Sequence, residues 1–429
     1  MKYGIYDRII ESNKMEGKMA IVKSFKCVRP DRELVEQVAS LPYDVYDRKE
    51  AKAAVANKPY AFLNIDRPET AFDDDFDMYS KEAYKYARDL YAEFKSRGIY
   101  EKDNTDSYYL YELTMNGTSQ VGIVGLASVD DYLNDIIKKH ENTREEKEID
   151  RINHVDTLNA QTGPIFLAYR ANDALQKIIS QNTHNEPIYD FVSEDKIRHR
   201  VWKADREYNK KIADCFQNIS KLYIADGHHR AASAVKVALR RRKNENDKDA
   251  GYNYFLSVIF DERQLHILPY NRIVLDLNNK NCDEILESIS KNFDIIECPI
   301  LEEIKDRHEF GMLLEDKFFL CRAKNIVKDS VKDDTIKSLD VSILQDFVLK
   351  PIFDIKDPRT DNRIRFAGGI RGVGFLKSEL ECGRGKAAFL MHPTSMQELF
   401  TVADENKLMP PKSTWFEPKL RSGIFIHEI

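Results

Sequence analysis

The residues best equipped for chemistry sit together in 221–230, KLYIADGHHR. Asp226 can act as a base or a metal ligand, the imidazoles of His228 and His229 can carry protons or bind metal, and Arg230 offers a planar fork suited to phosphate. Leu222, Tyr223, Ile224 and Ala225 form an apolar run of strand length, Asp226 and Gly227 end it, and the spacing predicts a helix over 231–242. The first turn of such a helix would turn unpaired N–H groups and its positive dipole end toward the same point, which favours an anion. An Asp turn beside two surface histidines would use the same letters, so spacing alone leaves both readings open.

Two further groups could join this turn. The stretch 140–154 is dense in charge and predicts a helix between apolar strands at 136–137 and 162–169, which brings its ends toward the carboxyl edge of a sheet, where α/β sites form. His140, Glu141, Arg144, His154 and Asp156 are its candidates. In MPPKSTWFEPK (409–419), Pro410 and Pro411 stiffen the approach to Lys412, Ser413 and Thr414, all able to bind phosphate, beside Trp415 as a stacking ring. Residues 359–421 hold eleven basic against seven acidic residues in a chain of net charge −6, a local positive field suited to a small phosphorylated ligand. FAGGIRGVG (366–374) lacks the Lys-Ser/Thr of a P-loop and half of the dinucleotide fingerprint, and is read as a glycine turn.

The elements that must position these groups follow from periodicity. SYYLYELTM, Asn116-Gly117 and SQVGIVGLASV predict a long hairpin over 107–129, and 81–97 predicts a helix with Tyr84, Ala87, Leu90, Tyr91 and Phe94 on one face. NYFLSVIF (253–260) and LHILPYNRIV (265–274) are expected to form a second hairpin, and DDDFD (73–77) a solvated loop. LPYDV (41–45) reads as an extended loop presenting Tyr43 and Asp44 side by side.

At 429 residues there is ample material for two to three domains. The 66 basic and 72 acidic residues nearly balance, which argues against a general polyanion-binding surface. Six scattered cysteines without a C-x-x-C predict reduced structural thiols, and the absence of an apolar run of membrane-spanning length or of a signal-peptide core leads us to expect a cytoplasmic protein.

The motif DGHHR (226–230), together with MAIVKSFKCVRPD (19–31), LPYDV (41–45), KKHENTREEKEIDRINHVDTLNAQTGPIFLAYRAN (138–172) and MPPKSTWFEPKLRSGIF (409–425), resembles the uncharacterised DUF1015 family nearly throughout from Met19 onward. The DGH-x-R core is also similar to the phosphate-handling motif of the ParB-like superfamily, which includes ParB CTPases, sulfiredoxins and ADP-dependent free serine kinases; it departs from the serine kinase pattern DGHTR at His229. The first resemblance favours a functional role for the loop at Asp44 and for 409–419. Together they imply an α+β, mixed α/β fold. Residues 1–18 would be an N-terminal extension, 19–275 a ParB-like sheet carrying the DGHHR turn, and 276–429 a closely associated C-terminal α/β part.

The activity implied is phosphoryl transfer on a small metabolite, serine or O-phosphoserine, by kinase or phosphatase chemistry. Asp226, His228, His229 and Arg230 would be catalytic; Asp44, His140, Glu141, Arg144, His154, Lys412, Ser413, Thr414 and Trp415 would bind substrate or phosphate. Magnesium is the expected metal, with Asp226 as its candidate ligand, and ADP or ATP the expected nucleotide. The alternative is a ParB-like nucleotide-binding regulator without turnover. No basic recognition helix accompanies the motif, so neither DNA nor membrane is an expected partner. A sulfiredoxin-like thiol enzyme would need a cysteine in the motif, and there is none.

Overall fold

The apolar run ahead of Asp226 becomes the strand Leu222–Asp226, buried until its last residue. In the computed structural model, which describes residues 19–245 and 247–429, this strand lies within a nine-stranded mixed sheet. The expected extension, residues 1–18, lies outside the described residues. Leu222–Asp226 runs parallel to Ile137–Lys138 and antiparallel to Ile165–Tyr169, which is itself parallel to Tyr254–Asp261. Beyond these come Thr118–Ser128, Tyr109–Met115, Arg198–Lys203 and Tyr189–Val192, all antiparallel to their neighbours. The expected hairpin forms because Asn116 (φ 52°) and Gly117 (φ 81°) take the left-handed conformations a two-residue turn requires.

The second expected hairpin does not form. Tyr254–Asp261 stays in the large sheet, whereas Tyr270–Val274 crosses into a separate six-stranded sheet and pairs with Ile364–Gly368 and Ala387–Met391. Pro269 interrupts the second segment, and its first half, Ile267–Leu268, pairs instead with Trp415–Phe416. The six-stranded sheet is antiparallel throughout, in the order Phe293–Cys298, Lys317–Ala323, Glu309–Leu314, Ala387–Met391, Tyr270–Val274, Ile364–Gly368. One hydrophobic core joins the inner faces of both sheets, from Tyr111 and Phe260 to Phe310 and Phe389, with Phe416 and Phe425 in the same cluster.

The C-terminal segment departs from the six-stranded sheet. Ser422 bridges to Ser40, Ile426 to Val28, His427–Glu428 pairs with Ala160–Gln161, and Phe425 packs on Tyr109 and Tyr111 of the large sheet, so the segment after 415 returns to that sheet. This return carries 412–421 across the end of the strand Leu222–Asp226.

Two helices frame that strand end. Glu145–Leu158 begins with Glu145, Glu146 and Glu148 in its first turn, where acids complement the dipole, and stops at Asn159 in the left-handed region. It is joined to His228–Arg241 by a Lys236–Glu148 ion pair and by Ser233, whose one hydroxyl hydrogen lies between the His229 carbonyl (2.7 Å) and the Glu148 carbonyl (3.2 Å). The second helix starts at His228 rather than 231, because Gly227 takes φ 91° and turns the chain straight from strand to helix. No described helix is long and apolar enough to cross a membrane.

Candidate active site

The register shifts between Ile224 and Asp226, a bulge of the kind that re-aims a side chain at a strand end. Asp226 Oδ1 accepts from its neighbour Gly227 N (3.0 Å), and Oδ2 lies 3.2 Å from Lys419 Nζ and 3.8 Å from Arg230 Nη2. Burial works against the charged carboxylate, but Lys419 and Arg230 outweigh it and hold the acid well below the usual carboxylate range. Asp226, expected as a proton carrier and candidate metal ligand, thus faces two cations that favour its ionised form.

The motif helix has no side-chain cap, and its first intrahelical bond is Ala231 N to the Gly227 carbonyl. The N–H groups of His228, His229 and Arg230 are therefore the unpaired first-turn donors. Arg230 donates through Nη1 to the Pro164 carbonyl (2.6 Å), while its buried Nε has no hydrogen-bond partner among the described residues. Gly227 is needed for more than its φ. A Cβ there would lie 3.0 Å from Arg230 Nε and Nη2.

The two histidines diverge, as adjacent residues on a helix must. His228 is buried, with Nδ1 3.7 Å from Glu141 Oε2, its ring edge-on to His140 (centroids 4.5 Å apart, 88°), and Nε2 without a partner among the described residues. Burial pushes His228 well below the ordinary histidine value, His140 adding to it, and takes His140 down to about 4. His229 accepts at Nε2 from Arg144 N (3.0 Å), which ties the helix to the loop before Glu145–Leu158. Glu141 moves the other way: burial raises its carboxyl, and Asp226 and Asp44 add to the rise against Lys412.

These groups line a cavity of about 360 Å³. Asp226, His228, His229 and Arg230 form one wall with His140 and Glu141; Asp44 comes from the 3-10 turn Tyr43–Val45; Lys412, Ser413, Thr414 and Trp415 come from the returning segment. Arg67 fixes the Asp44 turn by donating to the Tyr43 and Tyr46 carbonyls (2.9 and 2.8 Å). The long sequence gap between DGHHR and KSTW thus closes into one space.

Other candidates are placed elsewhere. Arg144 is exposed and contributes its backbone N–H to His229 rather than a guanidinium to the cavity. His154 is buried behind the site, its Nε2 3.0 Å from the Ile65 carbonyl and 3.9 Å from Asp66, so its partners are protein groups. Asp156 pairs with Arg241. Ser413 commits its hydroxyl hydrogen to the Pro410 carbonyl (2.7 Å). Trp415 is not a free stacking ring: a Cβ at Gly368 would sit 3.0 Å from three indole atoms, Lys419 Nζ lies 4.8 Å from the ring centroid, and Tyr270 meets it edge-on. Its Nε1 donates to Glu417, which also accepts from Lys419 N, so the indole holds Lys419 against Asp226.

Residues not singled out complete the lining. Lys147, Tyr270, Phe366, Arg371 and Lys419 all face the cavity. Lys412 takes φ 58°, its carbonyl accepts from the buried Arg272 (3.1 Å), and burial lowers its ammonium below the ordinary lysine value. The broad positive field expected over 359–421 is largely self-neutralised: Arg359 pairs with Asp357, Arg363 with Asp361, and Arg365 and Arg384 with Glu379. Arg371, Lys412 and Lys419 are the cations that this segment delivers to the cavity. Arg371 could have been noticed in FAGGIRGVG and Lys419 in WFEPK; Tyr270 carried no signal.

Among the described residues, no three or more ligating side chains are grouped to hold a metal. Asp44 and Glu141 are exposed carboxylates on the same cavity, which is the donor set magnesium takes when phosphate oxygens and water supply the rest.

Residues 22–342 match the family described as "Protein of unknown function (DUF1015)". The chain belongs to this family. No curated protein matches it. Among solved structures, this DUF1015 chain is similar to a free serine kinase in complex with AMP (15% identity, 70% of this chain and 90% of that chain covered, TM-score 0.34). It is also similar to SbnI from Staphylococcus aureus (11%, 71% and 87%, TM-score 0.37) and to a conserved hypothetical protein from Pyrococcus furiosus (15%, 70% and 94%, TM-score 0.32).

Proposed function

We propose that this chain is a phosphoryl-transfer enzyme acting on a small metabolite, with serine and O-phosphoserine as the first pair to test. The observation that carries the reading is the convergence, on one cavity, of an uncapped helix N-terminus, Arg230, Lys412 and Arg371 with the buried His228 and the more exposed Glu141 beside it. The first set neutralises charge on a transferring phosphoryl group, and the second is placed to move one proton. The choice of serine rests on the resemblance of DGH-x-R to the free serine kinase motif.

The attacking hydroxyl oxygen, from serine or from water, forms a new P–O bond as the bond from phosphorus to the leaving oxygen breaks. Its proton passes to the neutral His228, or to the Glu141 carboxylate beside it where no metal holds that carboxylate. Asp226 stays ionised and keeps Lys419 and Arg230 in place. A magnesium ion arriving with ADP or ATP would be held by Asp44 and Glu141 and would add charge neutralisation to the phosphates.

Incubating the protein with O-phosphoserine, and separately with serine plus ADP or ATP, and following phosphorus by ³¹P NMR tests this reading. New phosphate or phosphoester signals that disappear in His228→Ala are expected. Tight ADP or ATP binding with no phosphorus signal changing in any mixture would instead identify a nucleotide-binding regulator.

A further inference from the structure

A second cavity of about 410 Å³ meets the first at Glu141 and His228, the two residues that line both. Its other walls are Tyr132, Asp135, Lys139, Asn142, Thr143, Asn406 and Leu408. Two opposite charges stand open in it. Lys139 lies over the Tyr132 ring, 4.5 Å from its centroid, and Asp135 is held at φ 54° just after the helix Val129–Leu133. Neither side chain has an ion-pair or hydrogen-bond partner among the described residues; Asp135 is exposed and Lys139 half-buried. His228, 5% exposed, stands in the wall between the cavities.

A cation and an anion left unpaired in one small polar hollow match a ligand that carries both charges. A net anion would leave Asp135 opposed, and a net cation would leave Lys139 opposed. We propose that this side cavity binds a small hydroxy-bearing zwitterion of the amino-acid type, with its carboxylate on Lys139, its ammonium on Asp135, and its hydroxyl toward the shared Glu141–His228 wall. The phosphorylated partner would then occupy the larger cavity. This rests on the phosphoryl-transfer reading for its purpose, though not for the binding itself.

The test is calorimetric titration of the full chain with L-serine, ethanolamine and 3-hydroxypropionate, with and without ADP. L-serine should bind at least tenfold tighter than ethanolamine, which lacks the carboxylate, and than 3-hydroxypropionate, which lacks the ammonium. Lys139→Met should abolish the preference over ethanolamine alone, and Asp135→Asn the preference over 3-hydroxypropionate alone. Because each variant is compared across ligands, a general loss of folding cannot mimic this pattern. No L-serine binding under either condition, or binding that Arg230→Lys weakens while Lys139→Met does not, would overturn the proposal. L-serine binding with the expected pattern but no phosphorus transfer would uphold the cavity and remove the phosphoryl-transfer reading.

Discussion

Lys419 Nζ sits 3.2 Å from Asp226 Oδ2 across 193 residues of sequence, and Glu417 and Trp415 hold the lysine there. The pair fixes the charge state of the DGHHR turn, since Asp226 keeps its negative charge in a half-buried position only while a cation faces it. Lys419→Met should cost about 1–2 kcal/mol at pH 7, between the values for exposed and buried pairs. The Asp226 carboxylate is held low in the folded state, so the pair's contribution is fully present above about pH 4 and fades on further acidification. Urea midpoints of parent and variant should therefore differ at pH 7 and converge at lower pH; a constant gap would mean that the loss comes from packing.

Arg230→Lys should lower kcat/KM for phosphoryl transfer about tenfold or more, roughly 1.4 kcal/mol, although it keeps the charge. The fork that bonds the Pro164 carbonyl with one nitrogen and leaves others for the ligand becomes a single point. Parent-like turnover in steady-state assays would remove the phosphate role from Arg230.

Gly227→Ala should be more damaging than a surface alanine, costing on the order of 1–2 kcal/mol for the left-handed conformation alone. Its methyl group would also press on the Arg230 guanidinium. A lowered thermal midpoint together with weakened binding of inorganic phosphate is expected; unchanged phosphate binding would show that the helix N-terminus is not the anion site.

Burial takes His140 and His427 down to about 4 and His199 to about 3, while in the unfolded chain each titrates near 6.5. Below pH 6.5 the unfolded state binds more protons than the folded one, so stability must fall with pH, by about 1.4 kcal/mol per pH unit for each such histidine until its folded value is reached. Chemical denaturation from pH 8 to 4 should show this decline. His140→Gln should make it shallower, and a flat profile would show that these rings are protonated in the fold.

Much of this was legible in the sequence where a local rule governs. Asn116-Gly117 specified its hairpin, and Asp226-Gly227 specified the strand-to-helix turn, because backbone conformation at those positions admits few residues. The second hairpin failed because its two halves found better partners in separate sheets, a choice that depends on segments far away in sequence. For the same reason His154 looked equivalent to His140: both lie in a charged stretch, and only packing sends one toward Ile65 and the other to the cavity. Composition counted the cations of 359–421 correctly but could not show that most face their own neighbours.

The route of the returning segment has a consequence for biosynthesis. All nine strands of the large sheet have been made once Asp261 is synthesised, before any strand of the six-stranded sheet that shares its core. At that stage Asp226 faces Arg230 without Lys419, and Lys412 is also missing. The nascent chain therefore carries the motif before the charges that complete its cavity have been made, and the site is assembled only when the C-terminal segment returns.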